Sequence, residues 1–215
     1  MRRIQPVWIA FCFGFLFSTC SQQTTAPPKS APSEEITAEP EGDPVAIITT
    51  DKGDIVVQFL AELAPKTVAQ FSKLVEVGFY TRTTFHFVSP SFIWGGDPLS
   101  KDNDPQNDGL GNARVWIEGE FHEDYKVDRG AVGMMRKDSD LDSSSCQFFI
   151  VLERKSDWDG KYNIFGEVIE GIEVAEAISE VPHVKGDFKF LNRPAARQLI
   201  RGIRIEHRKM VSRVE

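Results

Sequence analysis

Cys146-Gln147-Phe148-Phe149-Ile150-Val151 is the stretch from which the fold can be read. Six residues, all apolar but one, are too short for a buried helix and suit a strand. Successive side chains of a strand point to opposite faces, so Gln147 and Phe149 share one face while Cys146, Phe148 and Ile150 share the other. The second face is wholly apolar and fits a core. The first sets an amide beside an aromatic ring.

Similar runs lie on both sides of it. Residues 45–50 and 55–60 are β-branched and are separated by Asp51-Lys52-Gly53-Asp54, whose glycine can take positive φ, so a hairpin is predicted. Further strands are predicted at 84–88, 92–94, 131–135 and 165–169, and at the alternating Ile203-Arg204-Ile205-Glu206. Pro65 opens a helix in which Val68, Phe71, Leu74 and Val75 form one apolar stripe, and Gly78 closes it at the C′ position. A second helix fits 172–178, and the polar stretch 98–114 reads as a loop. Many strands and few, widely separated helices argue for an antiparallel barrel or sandwich over an alternating βαβ order.

The 215 residues, 41% apolar, suffice for one hydrophobic core and hardly for two. A formal charge of −7 offers no basic stripe for phosphates, so nucleic acid is not an expected partner. Near the start, Arg2 and Arg3 precede an apolar run at 7–17, well short of the roughly 20 residues that span a bilayer, so residues 1–19 read as a signal peptide. Phe17-Ser18-Thr19-Cys20 resembles a bacterial lipobox, although Phe17 and Thr19 stand where Leu and a smaller residue are usual. The resemblance implies cleavage before Cys20 and attachment to the membrane through acyl chains on Cys20; an ordinary secretory signal or an uncleaved anchor are the alternatives. Residues 20–44, rich in Pro, Ser, Thr and Glu, read as a disordered linker. A folded domain is expected at 45–208 and a tail at 209–215. This arrangement implies a lipid-anchored protein of the bacterial envelope with its domain in the periplasm, and Ser21 is compatible with outer-membrane sorting. Of three cysteines only Cys146 lies in the domain, which leaves no internal disulfide to form.

Most familiar chemistries can be set aside. The four histidines lie in separate segments without metal-ligand spacing, and Asp102-Asn103-Asp104 and Asp138-Ser139-Asp140-Leu141-Asp142 lack the glycine and glutamate of a calcium loop. Ser143-Ser144-Ser145-Cys146 has no strained elbow and no nearby histidine. Gly95-Gly96-Asp97 lacks the lysine of a phosphate loop. No metal and no cofactor are expected.

Several blocks together do resemble a family. Ala64-Pro65-Lys66-Thr67-Val68-Ala69-Gln70-Phe71, Gly78-Phe79-Tyr80, Phe85-His86, Gly95-Gly96-Asp97-Pro98, Ser145-Cys146-Gln147-Phe148-Phe149-Ile150 and Phe165-Gly166-Glu167-Val168 stand in the order and approximate spacing of bacterial cyclophilins. The resemblance covers about residues 45–207. It implies a closed eight-stranded antiparallel barrel capped by two α-helices, a monomer, and peptidyl-prolyl cis-trans isomerase activity on proline-containing segments of envelope proteins.

Carried over residue by residue, the resemblance implies a substrate groove made by Phe92, Ile93, Gln147, Phe149, Trp158 and Tyr162, with Met135 and Arg136 along the substrate backbone. Phe92 is set at the family's first pocket Phe and Ile93 at its Met. Without that frame each aromatic reads as ordinary barrel packing. The polar half departs from the family. Its Phe-His-Arg is here Phe85-His86-Phe87, and its Phe-Met-x-Gln-Gly-Gly-Asp is one residue shorter and lacks the Gln. Phe87 offers no hydrogen bond. Two expectations follow: an isomerase with weakened catalysis, in which Arg136 is a candidate replacement donor, or a proline-peptide binding module or chaperone using the same groove.

Overall fold

The computed structural model describes residues 42–184 and 192–209; the expected signal peptide, Cys20, nearly all of the linker, and the tail beyond Lys209 lie outside the described residues. The strands are β1 (Asp43–Thr50), β2 (Gly53–Phe59), β3 (Thr84–Val88), β4 (Phe92–Gly95), β5 (Ala131–Met134), β6 (Phe148–Val151), β7 (Ile164–Glu170) and β8 (Gln198–Arg208). The helices are α1 (Pro65–Glu76) and α2 (Ile172–Ser179). The strands close into a barrel in the order β1-β2-β7-β5-β6-β4-β3-β8, every pairing antiparallel. The mainly β, eight-stranded closed barrel with two helices is thus the architecture that the chain adopts.

Alternation decides what the barrel encloses. Ala46 and Ile48 of β1, Ile55 and Val57 of β2, Ile93 of β4, Phe148 and Ile150 of β6, and Phe165 of β7 face inward with Phe71, Leu74 and Val75 of α1 and Ala175 and Ile178 of α2. Phe71 and Phe148 meet edge-on at 5.8 Å, and Tyr80 packs against both. The first hairpin turns at Asp51-Lys52, pairing Thr50 with Gly53, whose φ is +138°.

α1 begins at Pro65, as expected, and ends in a Schellman arrangement. The Gly78 N–H donates to Val75 O and the Phe79 N–H to Leu74 O, with Gly78 left-handed at φ +67°. Its N-terminus is capped from far away: the Glu120 carboxylate accepts the Lys66 and Thr67 N–H groups, each at 2.9 Å, and the Thr67 hydroxyl at 2.7 Å. Strand β6 starts at Phe148, two residues later than expected. Cys146 O accepts the Tyr80 hydroxyl at 2.9 Å, and Gln147 O accepts the Met135 N–H at 2.8 Å, so a side chain takes the place of the strand ladder at Cys146. The loop at 98–114 includes one short 3-10 turn, Pro98–Lys101.

One irregularity places the site. The β3–β4 pairing shifts register between Phe85 and Phe87. Phe85 and Val88 therefore both face the core, and His86 and Phe87 are turned to the outside of the barrel. Regular alternation from Phe85 would have hidden Phe87.

Candidate functional site

On the outer surface, β4, β6 and β5 lie side by side, with Trp94 opposite Phe149 and Phe149 opposite Gly133. Gly133 is required there, because a Cβ would stand 2.4 Å from Phe149 Cζ. The Phe149 ring thus reaches over Gly133 of β5. Trp158 and Tyr162 then cover it, with ring centroids at 4.8 and 5.4 Å from Phe149 and 4.7 Å from each other. Phe92 closes the other side of Trp158 at 5.0 Å. The turn carrying Trp158 is fastened by Asp159, whose carboxylate accepts the Val127 N–H and two Arg154 N–H groups. The Arg154 hydrogen bonds hold the Asp159 carboxyl at about 2.

Beside this sealed cluster lies an open groove of about 550 Å³. It is lined by Phe87, Phe92 and Trp94 on one side and by Leu110, Trp116, Met135, Arg136, Lys137, Asp138, Gln147 and Tyr162 among others. Of the residues expected from sequence, Phe92, Met135, Arg136, Gln147 and Tyr162 are brought together here, with Phe87 beside them. Three are not. Ile93 is completely buried in the barrel core, paired with Ile150 on the inner face. Phe149 is also completely buried, as the floor of the aromatic cluster. Trp158 seals that cluster and does not line the groove. Counting the family motif back from Gly95-Gly96-Asp97 explains Ile93. On that count Trp94 stands at the family's Gln and Phe92 at its Met. The missing residue falls in the tight turn before β4, where Ser89 and Phe92 bond to each other.

Trp94, Leu110 and Trp116 were not anticipated. The Gly-Gly-Asp frame would have found Trp94, and the two apolar residues inside a polar loop were a visible signal for the others. Leu110 and Trp116 are 72% and 51% exposed.

The polar groups of the site are mostly engaged. Gln147 donates through Nε2 to Gly109 O at 3.1 Å and Gly111 O at 2.7 Å, and its Oε1 is buried without a partner. The same loop is gripped by Asp97, whose fully buried carboxylate accepts the N–H groups of Leu99, Gly109 and Gly111. Arg136 donates through Nε to Lys161 O and through Nη1 to Lys137 O, with its guanidinium 4.7 Å over the Tyr162 ring. His86 lies behind Trp94 at 4.9 Å, and burial depresses its imidazole to about 4, which keeps it neutral near pH 7. Burial pushes the Cys146 thiol up to about 12, so it is no thiolate nucleophile. The groove can exclude water and grip an apolar ring through aromatic walls, with the cations of Arg136 and Lys137 at its edge, over the Tyr162 and Trp116 rings.

Comparison with known proteins agrees with this fold. The family model for "Cyclophilin type peptidyl-prolyl cis-trans isomerase/CLD" matches residues 45–205. A probable peptidyl-prolyl cis-trans isomerase of Brucella abortus is 31% identical over 150 residues, covering 66% of this chain and 74% of the relative. Peptidyl-prolyl cis-trans isomerase-like 4 of Gibberella zeae is 35% identical over 155 residues, 62% of this chain, but the chain spans only 31% of that longer protein. Among solved structures, a Cryptosporidium parvum cyclophilin-type isomerase, crystallised in the presence of the dipeptide Ala-Pro, superposes with a TM-score of 0.67 at 26% identity, covering 76% of this chain and 99% of that one. A barrel of this order, a family model spanning its strands and relatives at this level of identity lead to one assignment: the chain belongs to the cyclophilin-type peptidyl-prolyl cis-trans isomerase family.

Proposed function

We propose that the protein isomerises X-Pro bonds in exported polypeptides, with catalysis weakened by the replacement of polar groups in its groove. The unaided bond crosses a barrier of about 18–20 kcal/mol because amide resonance is lost on rotation. A groove lowers that barrier by removing water from the amide and by hydrogen-bonding the nitrogen as it gains lone-pair character. The walls around Phe92, Trp94 and Met135 support the first contribution. For the second, Phe87 stands where similar proteins have arginine. Losing one preorganised donor costs about 100- to 1,000-fold in other enzymes.

The observation that carries the reading is the Phe87 ring, stacked on Phe92 at 5.1 Å and 18° in the wall of the groove. Exchange spectroscopy on an Ala-Pro peptide is the test. Native protein is expected to accelerate cis-trans exchange modestly, and Phe87→Arg to raise the rate by about 100-fold. Peptide binding with exchange left at the uncatalysed rate in both proteins would leave a binding module in place of an enzyme. Attachment at Cys20 to the bacterial outer membrane belongs to the same proposal, supported by the lipobox-like Phe17-Ser18-Thr19-Cys20. Fatty-acid labelling that persists in Cys20→Ala would refute it.

A further inference from the structure

The groove is larger than the ring it is proposed to hold. Its volume of about 550 Å³ lies within the range of pockets that enclose a whole drug-sized ligand, whereas a prolyl side chain is one five-membered ring. The remaining space is enough to take a residue next to the proline. The nature of the walls says which.

Phe87 lies nearly parallel to Phe92 and is tilted toward Trp94 at 5.9 Å and 48°, so three half-buried rings form one continuous surface. Leu110 and Trp116, both largely exposed, also line the groove. Neither phenylalanine can hydrogen-bond, and the indole Nε1 of Trp94 is buried, without a hydrogen-bond partner. The wall therefore discriminates by ring contact, and aromatic rings at offset-stacked or edge-to-face separations are what such a surface holds best. It is also continuous with the prolyl site, because Phe92 belongs to both.

We infer that Phe87 and Trp94 are specificity-determining residues that make this groove select prolines adjoining an aromatic residue. The inference rests on the prolyl site proposed above and names its preferred substrate class. An aromatic pair corresponds to about three- to tenfold in affinity.

The test is a titration, followed by peptide chemical shifts, of capped peptides that differ only in carrying Ala-Pro, Phe-Pro or Pro-Phe. Native protein is expected to bind one of the aromatic peptides about three- to tenfold more tightly than the Ala-Pro peptide. In Phe87→Leu and Trp94→Leu, which keep apolar bulk but remove a ring, that ratio is expected to fall to within about twofold of one. Equal affinity of the native protein for all three peptides, or a preference that survives both substitutions, would overturn the inference and leave the prolyl site standing. Failure of every peptide to bind would overturn the prolyl site and the inference with it.

Discussion

Phe149 and Phe87 sit on the outside of the same barrel with only β4 between their strands, yet one is sealed and the other open. The difference lies in what the chain folds over each. Trp158 and Tyr162 arrive on the turn before β7, pinned by Asp159 and Arg154, and roof Phe149 completely. Beside Phe87 and Trp94 the loop is fixed at Gly109 and Gly111 by Asp97 and Gln147, and lines an open groove instead of roofing the rings. The same residue type thus serves packing in one place and ligand contact in the other.

Substitutions can break that contrast. Phe149→Ala empties the floor of the sealed cluster and is expected to cost about 3–5 kcal/mol, read as a lower denaturant midpoint. If its cost matches that of a surface change, the cluster is not a packed unit. Next in size is a pH effect behind the open wall. His86 is held at about 4 in the folded protein against 6.5 in the free side chain. Unfolding therefore takes up a proton between those values, and stability present above about pH 6.5 is lost as pH falls toward 4, by about 3 kcal/mol in total. His86→Phe removes the titration and is expected to flatten that part of the stability profile; an unchanged slope would contradict the assignment. Smallest is Phe87→Ala, expected to cost about 1–2 kcal/mol of stability through its lost contacts with Phe92 and Trp94, less than either change above, while weakening proline-peptide binding measurably. A large loss of stability there would make Phe87 a packing residue and erase the contrast.

The barrel was legible because its strands are short apolar runs with clear turns, and α1 carries both its Pro65 start and its Gly78 stop. The groove was legible in part. Alternation placed Gln147 and Phe149 on one face, which is correct, but periodicity does not show that Trp158 would cover one of them. The motif fits the chain in two frames, from Phe92 or from Gly95-Gly96-Asp97, and the difference of one residue turns the side chain of Ile93 from the groove to the core. The register shift at β3 had no local signature either: it follows from Phe85 and Val88 both belonging to the core. Glu120 as the cap of α1 depends on contacts over fifty residues apart in the chain and is invisible to any local pattern.

The pairing of β1 with β8 joins Asp43 to Arg208, nearly the whole length of the domain apart. A polypeptide delivered from its beginning cannot shut its cylinder until the last strand has emerged, and such distant pairings form slowly. Until that last strand is available, β1 keeps one edge without its partner, so the N-terminal strand is the last to be sealed on both sides.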